Sequence, residues 1–473
     1  MLDELGRLLA LWRPHFARRA GLARLCAVLI GLLVAPDRRR TLTASITQRG
    51  RQNLAHAADY FIFSRADWEP RDLFGSVVDA TVDTLDRLQI GRRLVVAMDD
   101  TGVKKTGKTI AAAGWQRDPL SPHFHVNLRW GLRFLHLAAI VPGHELGYGA
   151  QAVSIAYTLA PALKKPRKSA PPEVHAEFKT AKRKQNLSTR AVDEMTHLRA
   201  HLDKGGREDL AVLMVTDASY LNTTVLRGLP ERVDLVSRTR SSAKLYRPAP
   251  AGGRKKYGDA LQTPDEVRRD DEKPWEHARI HYAGALRPVR YKEVPEVMWK
   301  PAGAKRRLRL LVIAPTPYRA PGTKNRKYYR DPSYLLTTDL TAPSVELIQM
   351  YFDRWQIEVE HRNQKHVLGV GEAQVHADKS VPRMHSAHVA LWSMCKLAAM
   401  RSEGLGRTWA YPPRPRWYKQ EKNEEPSAGD IVDLLRMELH RARRKAGLDV
   451  FRGTVDRNFT KSLTFDQQGA LAA

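Results

Sequence analysis

Two carboxylates that each close a short apolar run are the first residues whose type and position point to chemistry. Leu94-Val95-Val96-Ala97-Met98 leads into Asp99-Asp100, and Leu210-Ala211-Val212-Leu213-Met214-Val215 leads through Thr216 into Asp217. Runs of this composition read as buried strands. In an α/β sheet the carboxyl ends of neighbouring strands converge on one site, so residues far apart in sequence can meet there. Close carboxylates repel unless a cation bridges them, and Mg²⁺ takes hard oxygen ligands of this kind.

A third carboxylate sits in a helical pattern from Ser344 to Val367. Its central stretch is Tyr351-Phe352-Asp353-Arg354-Trp355-Gln356-Ile357-Glu358-Val359-Glu360-His361-Arg362-Asn363-Gln364-Lys365. On an unbroken helix, Tyr351, Arg354, Glu358 and Lys365 fall at about 0°, 300°, 340° and 320°, on one face. Arg362 lies beside that face at roughly 20°, and Glu360 points away near 180°. Met350, Ile357 and Leu368 form an adjacent apolar stripe. Ordinary charge pairing, such as Arg354 with Glu358, explains neither the Tyr nor the second basic residue on the same line.

The elements that must position these residues follow from hydrophobic periodicity. Residues 1–88 are helical in pattern; Leu25–Ala35 is an apolar run far short of the ~20 residues needed to span a bilayer, and reads as a buried helix. Thr41 or Thr43 is placed to cap a following helix that carries Arg49 and Arg51. Strands alternating with helices over 89–239 and 341–400 imply an α/β core with a partly parallel sheet. Residues 164–185 are basic and contain prolines, which suits a loop or extended arm. Strand-like pieces at 277–283, 287–294 and 308–314 make 240–340 a β-rich insertion, bounded by basic loops at 247–256 and 324–330. Residues 401–473 form a helical C-terminal region with a helix near 430–445.

Composition bounds the partner. Lys and Arg number 79 against 51 Asp and Glu, a formal charge of +28. A basic surplus spread along a globular chain points to a polyanion, and nucleic acid fits better than membrane, which usually draws one concentrated basic helix. Cys26 and Cys395 stand far apart without His or Cys at ligand spacing, which argues against a disulfide framework or structural zinc and suits a reducing cytoplasm.

The spacing Tyr351-x2-Arg354-x3-Glu358-x6-Lys365 resembles the YREK signature of a large group of bacterial insertion-sequence transposases. Met98-Asp99-Asp100-Thr101-Gly102 is similar to that group's first acidic motif, Asp-x-Thr at the end of a strand. Val215-Thr216-Asp217-Ala218-Ser219-Tyr220 is similar to its second, and Tyr334–Asp339 with Arg354–Glu358 to the lead-in of its third. The resemblance covers roughly residues 35–400. It implies a ribonuclease H-like core interrupted by a β-rich insertion, an N-terminal helical DNA-binding domain and a helical C-terminal region.

It further implies that Asp99, Asp217 and Glu358 bind two Mg²⁺ ions, with Mn²⁺ as a substitute, and that no protein nucleophile is needed. The Asp-x-Thr pattern favours Asp99, with Asp100 as runner-up. Tyr351, Arg354, Lys365 and Arg362 would hold phosphates of double-stranded DNA, and Arg38, Arg39 and Arg40 would contact it from the N-terminal domain. Trp299 or Trp275 would stack on a flipped base. A homodimer would pair two transposon ends for cut-and-paste transposition. Two other readings stay open: an element-derived DNA-binding protein without catalysis, and a metal-dependent nuclease of the same fold that does not join strands.

Overall fold

The computed structural model describes residues 1–35, 40–118, 121–122, 124–250, 254–318, 328–417 and 424–445. The chain is a mixed α/β protein with a large mixed sheet, compatible with a ribonuclease H-like core. Its residues divide into two compact units. One holds Met1–Gly91, Asp100–Lys182 and Glu358–Ala473; the other holds Arg92–Asp99 and Arg183–Ile357. Strand β1 (Leu94–Lys104) contributes its first residues to the second unit and its last to the first.

In the first unit, β1 is followed by β2 (Gly114–Arg117), β3 (Leu128–Val141) and β4 (Gln151–Leu159). Strand β3 lies next to β1 and pairs antiparallel with both β2 and β4. The N-terminal residues are helical, as their periodicity predicts. The apolar run becomes the helix Arg19–Val34, buried nearly throughout, and among the described residues no helix is long and apolar enough to cross a membrane. Thr41 is the cap: its hydroxyl accepts the Ala44 N–H at the start of helix Leu42–Gln48. Arg49 and Arg51, expected within that helix, fall after it. Both turn inward with Arg24 onto the fully buried Asp59, Arg49 at 2.5 Å and Arg24 at 3.0 Å.

The helix Ser380–Glu403 runs through the core of this unit, against helix Pro70–Leu88 and β4. It carries unusual polarity for a buried helix: Ser386, Ser393, His385, His388 and Lys396 are all buried. Ser386 and Ser393 donate to the β4 carbonyls of Tyr157 and Ser154, so the hydroxyls reach acceptors across the interface. Burial lowers His385 to about 3 and His388 to about 4, because an imidazolium would lose its hydration there. Both histidines are neutral in the fold at neutral pH and take up protons more readily when unfolded. Stability from this source is therefore complete above about pH 6.5 and falls as the pH drops towards 4, by several kcal/mol. Urea midpoints measured across that range should move down with acid; a flat profile would remove the histidines from the account.

The second unit continues from β1 with β5 (Val212–Thr216), parallel to β1, and β6 (Val233–Arg238), parallel to β5. Next come β7 (Leu245–Tyr246), β8 (Glu276–Tyr282), β9 (Ala285–Trp299), β10 (Leu308–Ile313), the separate short pair β11 (Pro317–Tyr318) and β12 (Tyr328–Tyr329), and β13 (Ser333–Thr337). Strand β13 pairs antiparallel with β6, β10 with β13, and β9 with β10, so strands from residues 240–340 extend the sheet that begins at β1. The strand-like pieces expected at 277–283, 287–294 and 308–314 correspond to β8, β9 and β10.

Two expectations are corrected. Residues 172–184 form a helix, Pro172–Lys184, and not a loop or arm, because Pro172 starts it and Ala, Glu, Lys and Arg propagate it despite the charge. The long helix from Ser344 is two: Ser344–Asp353 and Trp355–His366, with Ile357 N–H bonded three residues back to the Arg354 carbonyl at the junction.

Candidate active site

Strand β1 pairs with β5 from Leu94↔Val212 to Met98↔Thr216 in parallel register. Asp99 and Asp217 are the residues that follow this last pair; Asp217 lies just past the end of β5, whereas Asp99 lies within β1, which was expected to stop at the acids but runs on to Lys104. Both strands are buried along the paired stretch, which fixes the register through Val95, Val96, Leu213 and Met214. Asp99 and Asp217 themselves are half-buried.

Asp217 is held by the turn it begins. Its carboxylate accepts the Ser219 backbone N–H at 3.0 Å and the Ser219 hydroxyl at 2.9 Å, and its own carbonyl accepts the Ser237 hydroxyl of β6 at 2.7 Å. Ser219 was visible in the sequence as part of the second acidic motif; an Asp bonding two residues ahead is the signal that would have given it this role. Asp100 is placed differently. Successive strand residues point to opposite faces, so Asp100 faces away from the side taken by Asp99. It accepts Arg133 Nε at 2.6 Å in an ion pair.

The remaining predicted residues divide between the units. In the second, Tyr351 and Arg354 are half-buried, Tyr351 packs edge-on to Phe352, and Gln349 ties this helix to β8 by bonding both the N–H and the carbonyl of His281. Trp299 ends β9 opposite Leu245, and Trp275 lies under the Lys292 ammonium at 4.6 Å; both rings are half-buried.

In the first unit, Glu358 is half-buried and Arg362 and Lys365 are exposed. Glu360 is buried, accepting Trp392 Nε1–H at 2.7 Å and pairing with Lys396 at 3.1 Å. Glu360 was expected only to point away from the face of Glu358; its burial and its partners were not foreseen. Arg38 and Arg39 lie outside the described residues. Arg40 is only 8% exposed, and its N–H bonds Glu372 at 2.5 Å in the turn after the second helix. Gly369 in that turn has φ +61°, and a Cβ there would meet the Arg40 side chain at 2.5 Å. Burial lowers Lys105 at the end of β1 to about 8, and its ammonium donates to the Gly371 and Ala373 carbonyls of the same turn.

The structure therefore sets Asp99 and Asp217 directly after the last paired residues of two adjacent parallel strands. Among the described residues it gathers no group of three His, Cys, Asp or Glu arranged to hold a metal ion. Two carboxylates that follow the same parallel pair supply hard oxygen donors, and a donor set of that chemistry fits a divalent cation.

The chain matches the family model described as DDE superfamily endonuclease over residues 13–306, more than half of its length. No curated protein matches it. The matched stretch contains β1, β5, Asp99 and Asp217, and ends before the helix that bears Glu358. By that match the chain belongs to the DDE superfamily endonucleases, a family of metal-dependent enzymes that act on DNA.

Proposed function

We propose that this protein is a cut-and-paste transposase of the YREK type, acting on the ends of its own mobile element. The observation that carries the reading is the parallel register of β1 and β5, which sets Asp99 and Asp217 side by side. On the strength of the sequence signature, Glu358 is the third acid.

Asp99, Asp217 and Glu358 would hold two divalent cations, with Mg²⁺ the natural choice for three carboxylates. Bound there, the ions supply an activated water, and later an activated 3′-hydroxyl, together with charge stabilisation of the leaving oxygen. The chain's own residues bind and orient. Ser219 fixes the Asp217 carboxylate, so its outer lone pairs are presented without rotation. Arg354, with its planar fork, suits a bidentate phosphate contact, and Tyr351, Arg362 and Lys365 add single contacts to the DNA strand. A homodimer would bring two ends together.

A nuclease that cuts without joining is the second reading. The family match is to an endonuclease and stops short of the signature helices, which favours keeping it.

The test is cleavage and joining of a labelled duplex carrying the element's end, with Mg²⁺ and a plasmid target. Glu358→Gln is compared with Glu346→Gln, an exposed carboxylate of helix Ser344–Asp353. The expected result is cutting and joining by the parent and by Glu346→Gln, with both lost in Glu358→Gln while DNA binding survives. Cutting without joined product would favour the nuclease, and binding without cutting under any divalent ion would leave a DNA-binding relic.

A further inference from the structure

The β2–β3 hairpin of the first unit presents an apolar face that the site above does not use. The register Trp115↔Trp130 and Arg117↔Leu128 places these four side chains on one face of the ribbon. Trp115 is 67% exposed and Leu128 60%, and Val126, two residues before Leu128, is also exposed. The two indoles meet edge to face with centroids 5.7 Å apart, and Trp130 Nε1–H is fixed to the Gly107 carbonyl at 3.0 Å. The indole of Trp115 is therefore held upright by its neighbour, with most of its surface in water.

The opposite face of the ribbon is what anchors it. Arg129 lies against Gly102 of β1 so closely that a Cβ there would come within 1.9 Å of its guanidinium. Gln116 bonds the Gly131 carbonyl across the ribbon. An exposed tryptophan on a tethered, two-stranded ribbon is costly to leave in water, and a contiguous apolar face of this kind marks a contact surface.

The charges around the face identify what it contacts. Arg117 lies on it, and Lys108, beside the Gly107 carbonyl that Trp130 grips, is exposed. Asp118, the nearest acid of β2, lies 3.9 Å from Arg129 in an ion pair. A second copy of this chain would bring +28 against +28. An aromatic face with a cationic rim is instead the pairing that binds nucleic acid, with rings stacking on bases and guanidinium or ammonium groups on phosphate. A base inside a duplex has no free face for such a ring.

We propose that the β2–β3 hairpin is a stacking arm for unpaired bases, with Trp115 as the stacking residue, supported by Trp130, and Arg117 on the adjoining phosphate. The proposal rests on the DNA-acting reading of the protein but not on its catalytic residues.

It is tested by anisotropy binding of the full chain to two labelled probes without divalent ions: a blunt duplex, and the same duplex with a forked, unpaired end. Trp115→Ala is expected to weaken binding to the forked probe by roughly ten- to hundredfold, with less than about a twofold change on the blunt one. Trp115→Phe should restore most of the difference. Arg117→Ala should weaken both and lower the salt slope by about one.

Equal affinity of parent and Trp115→Ala for the forked probe overturns the proposal, as does an equal loss on both probes. A change in sedimentation from dimer to monomer with unchanged DNA affinity would overturn it in favour of contact between copies. Failure of the parent to bind either probe would sink the DNA-acting reading itself, which separates the two outcomes.

Discussion

Replacing Asp99 by Asn is expected to reduce cleavage of the end duplex by about three orders of magnitude or more, while Asp100→Asn keeps most of it. A carboxylate that holds a catalytic cation contributes several kcal/mol to the transition state, and each 1.36 kcal/mol is about tenfold in rate. Asn retains the shape of Asp but neither its charge nor its affinity for a hard cation. Asp99 follows the last parallel pair of β1 and β5, as Asp217 does. Asp100, on the other face of the strand, is paired with Arg133 at 2.6 Å, so its loss should show as a modest drop in stability of ~1 kcal/mol or less, given that the pair is partly solvated. Single-turnover cleavage with urea unfolding in parallel checks both. The reverse ranking would move the metal-binding role to Asp100 and break the register argument.

The second large effect is on stability. Glu360 and Lys396 form an ion pair in the core of the first unit, Glu360 1% and Lys396 7% exposed, with Trp392 donating to the other carboxylate oxygen. Removing one partner strands a buried charge. Glu360→Ala should therefore lower the unfolding free energy by about 3–5 kcal/mol. The double change Glu360→Leu with Lys396→Met should recover most of that, since apolar groups of similar volume replace a desolvated pair. Urea denaturation with an unchanged slope is the measurement. A cost under about 1 kcal/mol for Glu360→Ala would mean that water reaches the pair. Glu360 is thus a structural residue, and no neutral comparison for Glu358 although it lies only two positions away.

Strand β5 and the first half of β1 were legible because their apolar runs are short and β-branched, a pattern that burial on both faces demands, but β1 runs on through its acids to Lys104, past the point where the apolar run stops. The helix bearing Tyr351 and Glu358 was legible as helix but not as two. Wheel arithmetic assumes unbroken 3.6-residue turns, and the tightened turn at Arg354 carries no Pro or Gly to announce it. The wheel that puts Tyr351, Arg354, Glu358 and Lys365 on one face assumes a single helix, and Arg354 is the residue at which the two helices meet. Arg40 was read as a DNA contact, and the partners of Arg49 and Arg51 were not foreseen, because a basic run says nothing of its partners. Asp59 and Glu372, which draw Arg49 and the Arg40 backbone inward, are separated from them in sequence by intervals no pattern encodes. The helix at 172–184 was missed because prolines at its threshold were read as loop, when Pro172 is the residue that starts it.

The pairing of β1 with β5 also has a consequence during synthesis. Leu94 leaves the ribosome long before Val212 exists, so the nascent chain carries β1 with an open edge on that side until the second acid has been translated. A chain cut short anywhere between the two would carry an unsatisfied strand edge and only half of the acidic pair, and would be prone to self-association through backbone pairing.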